Sequence, residues 1–89
     1  MVIVSFTPNL RRHLDCPDVT VAGATLRAVL NAAFEANPRL RGYVVDEQGR
    51  LRRHVVVFIG ETRAADRERL GDPVPDDARV YVMQALSGG

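Results

Sequence analysis

Apolar residues fall along the chain in short blocks whose period changes from two to about 3.6 and back, and those blocks predict the order of elements. Residues 1–7 are the first predicted strand, β-branched or aromatic from position 2 onward apart from Ser5. Pro8-Asn9 ends it, because proline cannot donate to a ladder. A polar stretch containing Pro8, Asp15, Pro17 and Asp18 leads to Val19-Thr20-Val21-Ala22, the return arm of a hairpin with a long turn. Beyond Gly23 the period becomes helical. Leu26, Val29, Leu30, Ala33 and Phe34 share one face, with Arg27, Asn31 and Glu35 on the other. Thr25 is the expected N-cap and Asn37-Pro38 the stop, since proline disfavours helical geometry in the residue before it.

Residues 40–45 and 51–59 read as two strands around Asp46-Glu47-Gln48-Gly49, a turn ending in glycine. A charged, irregular connection through Leu70, Pro73 and Pro75 follows Gly60, and residues 79–84 form the last predicted strand. The order describes an α+β β-grasp: a mixed sheet of four to five strands covered by one main helix, over residues 1–84, with a flexible tail at 85–89. Strand alternation sets Val56 and Phe58 on one face and Val55, Val57 and Ile59 on the other, without saying which face meets the helix.

Composition narrows the function classes. At 89 residues the chain suits one modest core, and 46% hydrophobic with 26% charged residues fits a folded chain rather than a disordered one. A net charge of +1 lacks the global footprint of a nucleic-acid or anionic-membrane binder, so neither is an expected partner. All twelve basic side chains counted as Lys or Arg are arginine, which leaves no internal ε-amine for isopeptide or Schiff-base chemistry. One cysteine excludes an internal disulfide, no signal-peptide pattern opens the chain, and its longest apolar run, residues 55–59, has strand length. A cytoplasmic location is the expectation.

The element order, the length and a free Gly88-Gly89 end resemble the ubiquitin-like sulfur carriers of the ThiS and MoaD type. The pieces that carry the likeness are Gly23-Ala24-Thr25-Leu26-Arg27-Ala28-Val29-Leu30, Val56-Val57-Phe58-Ile59-Gly60-Glu61 and Asp77-Ala78-Arg79-Val80-Tyr81-Val82. Members commonly carry asparagine before the glycine of the central piece, where this chain has Ile59. The resemblance implies a carrier with no catalytic residues of its own. An E1-like enzyme would adenylate the Gly89 carboxylate with ATP, a sulfur donor protein would convert it to a thiocarboxylate, and a synthase or hydrolase would accept the sulfur in molybdopterin, thiamine, cysteine or specialised-metabolite biosynthesis. On that reading no cofactor or metal is bound, and ATP belongs to the partner.

The expectation has a chemical rationale in the residues. A carboxylate resists nucleophilic attack and must be activated first, and glycine lets a partner's surface approach the backbone most closely. Residues 85–89, extended, reach about 16–18 Å at 3.3–3.6 Å each. The sequence carries no phosphate-binding loop, no G-x-G-x-x-G and no zinc-spaced cysteine–histidine set; one cysteine also excludes a plant-type iron–sulfur cluster. Val57, Met83, Ala85, Leu86 and Ser87 are the expected docking residues beside the tail, with Val56 and Phe58 then facing the helix. Arg50, Arg52, Arg53 and His54, with Arg39 and Arg41, read as a solvated hairpin, with a basic docking patch as the alternative. His13 and His54 are expected at the surface, and Cys16, flanked by Asp15 and Asp18, as an inert thiol. Two other functions fit the same residues: a modifier forming isopeptide bonds through Gly89, and an interaction module whose tail is never activated.

Overall fold

A computed structural model of the chain describes residues 1–6 and 18–84. The elements are β1 (Val2–Phe6), β2 (Val19–Val21), α1 (Leu26–Ala36), α2 (Arg39–Val44), β3 (Val55–Ile59), β4 (Thr62–Arg63) and β5 (Arg79–Gln84). They build one sheet in the order β2-β1-β5-β3-β4. β1 and β5 run parallel, and the other pairs are antiparallel. This mixed sheet, with α1 against one face, is the β-grasp arrangement that the sequence predicts.

α1 forms where the periodicity places it. Its five buried residues, Leu26, Val29, Leu30, Ala33 and Phe34, are the predicted stripe, and the larger ones stabilise the fold by about 1.5–3 kcal/mol each on burial. Thr25 caps the helix, its hydroxyl accepting from the Ala28 N–H at 3.2 Å. The N–H groups of Leu26 and Arg27 donate to the carbonyls of Asp72 (2.9 Å) and Leu70 (2.8 Å), so the loop before β5 satisfies the donors that a helix start leaves over. Gly23 is needed there by close approach: a Cβ would lie 2.9 Å from both the backbone nitrogen and Cγ2 of Val29.

That loop is organised by two carboxylates. Asp72 accepts from the N–H groups of Ala65 and Asp66, and Asp66 accepts from those of Glu68, Arg69 and Gly71. Buried Leu70 takes φ +58 within it. Arg27 ties the loop to α1 by donating to the carbonyls of Arg69 and Glu68, both at 3.2 Å. The Arg69 N–H lowers the Asp66 pKa most; desolvation opposes it, and the Gly71 and Glu68 N–H groups and the Arg69 charge reinforce it. A folded pKa below the ordinary 3.8 gives stability that is complete above that value and lost as pH falls through the folded one. Asp66→Ala is therefore expected to melt below wild type near neutral pH, with the gap narrowing once the wild-type carboxylate protonates; thermal melts across the acid range measure this.

Two strand assignments are corrected and one strand is added. Residues 40–45, predicted as a strand, are helical through Val44: Leu40 and Val44 are both buried, and the spacing of four that makes them agree with strand alternation also places them on one helix face. Residues 51–54 do not extend β3; a Val45–Leu51 bridge and the Asp46 N–H donating to the Arg50 carbonyl at 2.8 Å close the turn, where Gly49 takes φ +80. β4, unpredicted, pairs with β3 across a two-residue turn with Gly60 at φ +62 in its first position, the place where such hairpins take glycine.

The inner face is also corrected. Val55 and Val57, not Val56 and Phe58, pack into the core with Val2, Val4, Phe6, Val80 and Val82. Val57 is 1% exposed and pairs with Val82, so its side chain offers nothing to a partner.

Candidate functional site

The expected site is the end of β5 and the sheet surface beside it. β5 lies between β1 and β3, so its course is fixed by ladders on both sides, and its last residue, Gln84, pairs with Val55. Ala85, Leu86, Ser87, Gly88 and Gly89 follow in the sequence and lie outside the described residues, as do His13 and Cys16.

The sheet face turned away from α1 carries the outward residues of three strands. Val56 pairs with Met83 and Phe58 with Tyr81, while Ile3 pairs with Arg79 and Ser5 with Tyr81 on the other side. Met83 is 37% and Ile3 36% exposed, and Val56, Phe58 and Tyr81 are half-buried. Met83 is thus on the outer face as expected, beside Val56 rather than Val57. Arg79 borders the strip, its guanidinium 5.9 Å from the Tyr81 ring centroid and 3.9 Å from the Asp18 carboxylate. The signal for this face was present in β5: Arg79, Tyr81 and Met83 alternate with Val80 and Val82, and a charged first member marks the solvent side. Transferring it to β3 requires the register, which the sequence does not print.

The basic cluster sits at the corner where β3 begins. Arg52 Nε donates to the Gly42 carbonyl at 2.7 Å, and Arg67 Nη2 donates to the Arg52 carbonyl at 2.7 Å. Arg50 binds Asp46 at 3.1 Å, and Asp46 also accepts from the N–H groups of Gln48 and Arg50. The Arg50 N–H lowers the Asp46 pKa most; desolvation opposes it, and the Gln48 N–H and the Arg50 charge and side-chain bond reinforce it. Arg41 stacks over Phe34 at 5.7 Å. Arg53 and His54 are exposed. Among the described residues, no group of three or more His, Cys, Asp or Glu is placed to hold a metal ion, and no helix is long and apolar enough to cross a membrane.

No protein-family model matches the chain, and no curated protein matches it in sequence. Solved structures do match. The Amycolatopsis orientalis BexX/CysO complex contains a chain similar to it over 100% of both, at 22% identity and a TM-score of 0.82. Mycobacterium tuberculosis CysO, described as an antigen, matches 97% of this chain and 100% of its own at 24% identity and a TM-score of 0.81. SAMP1 from Haloferax volcanii matches 99% of this chain and 98% of its own at 25% identity and a TM-score of 0.78. The chain therefore has the β-grasp fold of the ubiquitin-like proteins, and its structural neighbours are CysO and SAMP1.

Proposed function

We propose that this protein is a sulfur carrier whose Gly89 carboxylate is adenylated and then thiocarboxylated by partner enzymes. The observation that carries the reading is a β-grasp sheet whose β5, held on both sides, leads into Ala85-Leu86-Ser87-Gly88-Gly89. The likeness to CysO and SAMP1 supports it. In the proposed sequence a Gly89 carboxylate oxygen attacks the α-phosphorus of ATP and releases pyrophosphate. A sulfide-equivalent nucleophile then attacks the acyl carbon, forming a C–S bond as the C–O bond to AMP breaks. The partner supplies ATP and the sulfur donor protein supplies sulfur; this chain supplies the acyl group and a surface to hold. Val56, Phe58, Tyr81 and Met83 form that surface, because an apolar strip leading to the end of β5 is what a partner would cover.

Incubation with an E1-like enzyme of the same genome, ATP and a sulfur donor is expected to raise the intact mass by about 16 Da, the excess of sulfur over the oxygen it replaces at the activated acyl group. An unchanged mass with every such enzyme would sink the reading. The likeness to SAMP1, a small archaeal modifier protein, favours a second use of the same terminus, isopeptide conjugation. Its signature is a Gly-Gly remnant on lysines of other cellular proteins.

A further inference from the structure

Residues 39–54 carry five arginines, Arg39, Arg41, Arg50, Arg52 and Arg53, against Asp46 and Glu47, a net +3 in a chain whose total is +1. The fold places Arg50, Arg52 and Arg53 of this segment at one corner, where Arg67 joins them. Because β3 and β5 are antiparallel and Val55 pairs with Gln84, the C-terminal end of β5 points at the residues just before Val55, namely Arg52, Arg53 and His54. A partner that approaches the end of β5 at Gln84 therefore approaches the start of β3, which these residues precede. Next to them, Arg50, Arg53 and Arg67 line a shallow depression of about 370 Å³ together with Asp46, Leu51 and Glu68.

The arginines are not equivalent. Arg50 is engaged by Asp46, and Arg52 and Arg67 are pinned through the Gly42 and Arg52 carbonyls. Arg53 is exposed and makes no ion pair among the described residues. Three fixed guanidinium groups and one uncommitted one are suited to several separate carboxylates, each of which can be gripped by a forked pair of N–H donors. They suit a polyphosphate less well, because Asp46 and Glu68 line the same depression and would face its concentrated charge.

We infer that this corner docks an acidic, carboxylate-rich segment of the partner protein that receives the tail. The inference rests on the proposed carrier function, in which a partner must take that tail. The charges steer the encounter and fix its register, while the apolar strip supplies contact area.

The test has two arms on the full chain. In the first, a polyglutamate peptide of about ten residues, long enough to span several exposed arginines, is titrated into the labelled protein and amide shifts are followed by NMR. Shifts at residues 50–54 and 67 are expected, suppressed at about 0.5 M NaCl, where the screening length is a few ångströms. Arg53→Glu should weaken binding about tenfold, and Arg53→Gln by less. Absent shifts, shifts indifferent to both variants, or shifts produced by ATP and not by the peptide overturn the inference. In the second arm, ATP–pyrophosphate exchange is measured with an E1-like enzyme of the same genome. Arg53→Glu is expected to raise the KM for the carrier about tenfold with kcat unchanged, an effect that fades with salt. Exchange with equal KM for wild type and Arg53→Glu overturns the inference and leaves the carrier reading standing. No exchange with wild type sinks the carrier reading, and the peptide titration alone then decides the inference.

Discussion

Deleting Gly88 and Gly89 is expected to reduce sulfur loading more than 100-fold while moving the melting temperature by less than about 4 °C. The shortened chain still ends in a carboxylate, now on Ser87, so the experiment separates possession of an acid from its position. Two residues of extended chain span about 7 Å, and a misplacement of even 1 Å at a reacting centre can cost about a hundredfold. The fold has no comparable stake. Its core draws on residues from Val2 to Val82, and both ladders of β5 are complete at Gln84. Surface changes of this kind stay within about 0.5 kcal/mol, a few degrees in a domain this small. Intact mass after incubation with the activating enzyme gives the first quantity and a thermal melt the second. Loading at the wild-type rate would place the chemistry elsewhere in the chain.

The second large effect comes from neighbouring valines on β3. Val57→Asp is expected to leave the protein largely unfolded at room temperature, and Val56→Asp to leave it folded but poor at engaging the activating enzyme. Val57 is 1% exposed between core neighbours. Replacing it forfeits about 1.5–3 kcal/mol of burial and sets a carboxylate in apolar surroundings, where protonation or water entry costs several kcal/mol more. A domain stabilised by 5–15 kcal/mol or less has little margin for that. Val56 is half-buried beside Met83 on the outer face, where an aspartate reaches water and interrupts the apolar strip. Circular dichroism melts of the two variants suffice: a cooperative, wild-type-like transition for Val57→Asp would reverse the assignment of faces.

The basic corner shows why some of the site was legible and some was not. Arg50, Arg52, Arg53 and His54 are conspicuous in the sequence, and so is the Gly-Gly pair. That the arginines stand beside the end of β5 follows only from the pairing of Val55 with Gln84, residues 29 positions apart in the chain. The outer strip has the same origin. Ile3, Val56, Phe58, Tyr81 and Met83 come from three strands distant in sequence and meet through register alone.

By itself the sequence determined the helix Leu26–Ala36, its Thr25 cap and Asn37 stop, the strands β1, β2 and β5, and the turn at 46–49. In each of these the apolar period and the residues that bound it agree, so local preference leaves one solution. Tertiary structure decided the rest, where local signals were degenerate. Leu40 and Val44, four apart, satisfy a strand and a helix equally, and packing of both into the core selected the helix. Val55-Val56-Val57-Phe58-Ile59 has no polar residue to mark a solvent side, so its inner face was settled by the ladder with β5, whose Val82 faces the core and draws Val57 in beside it.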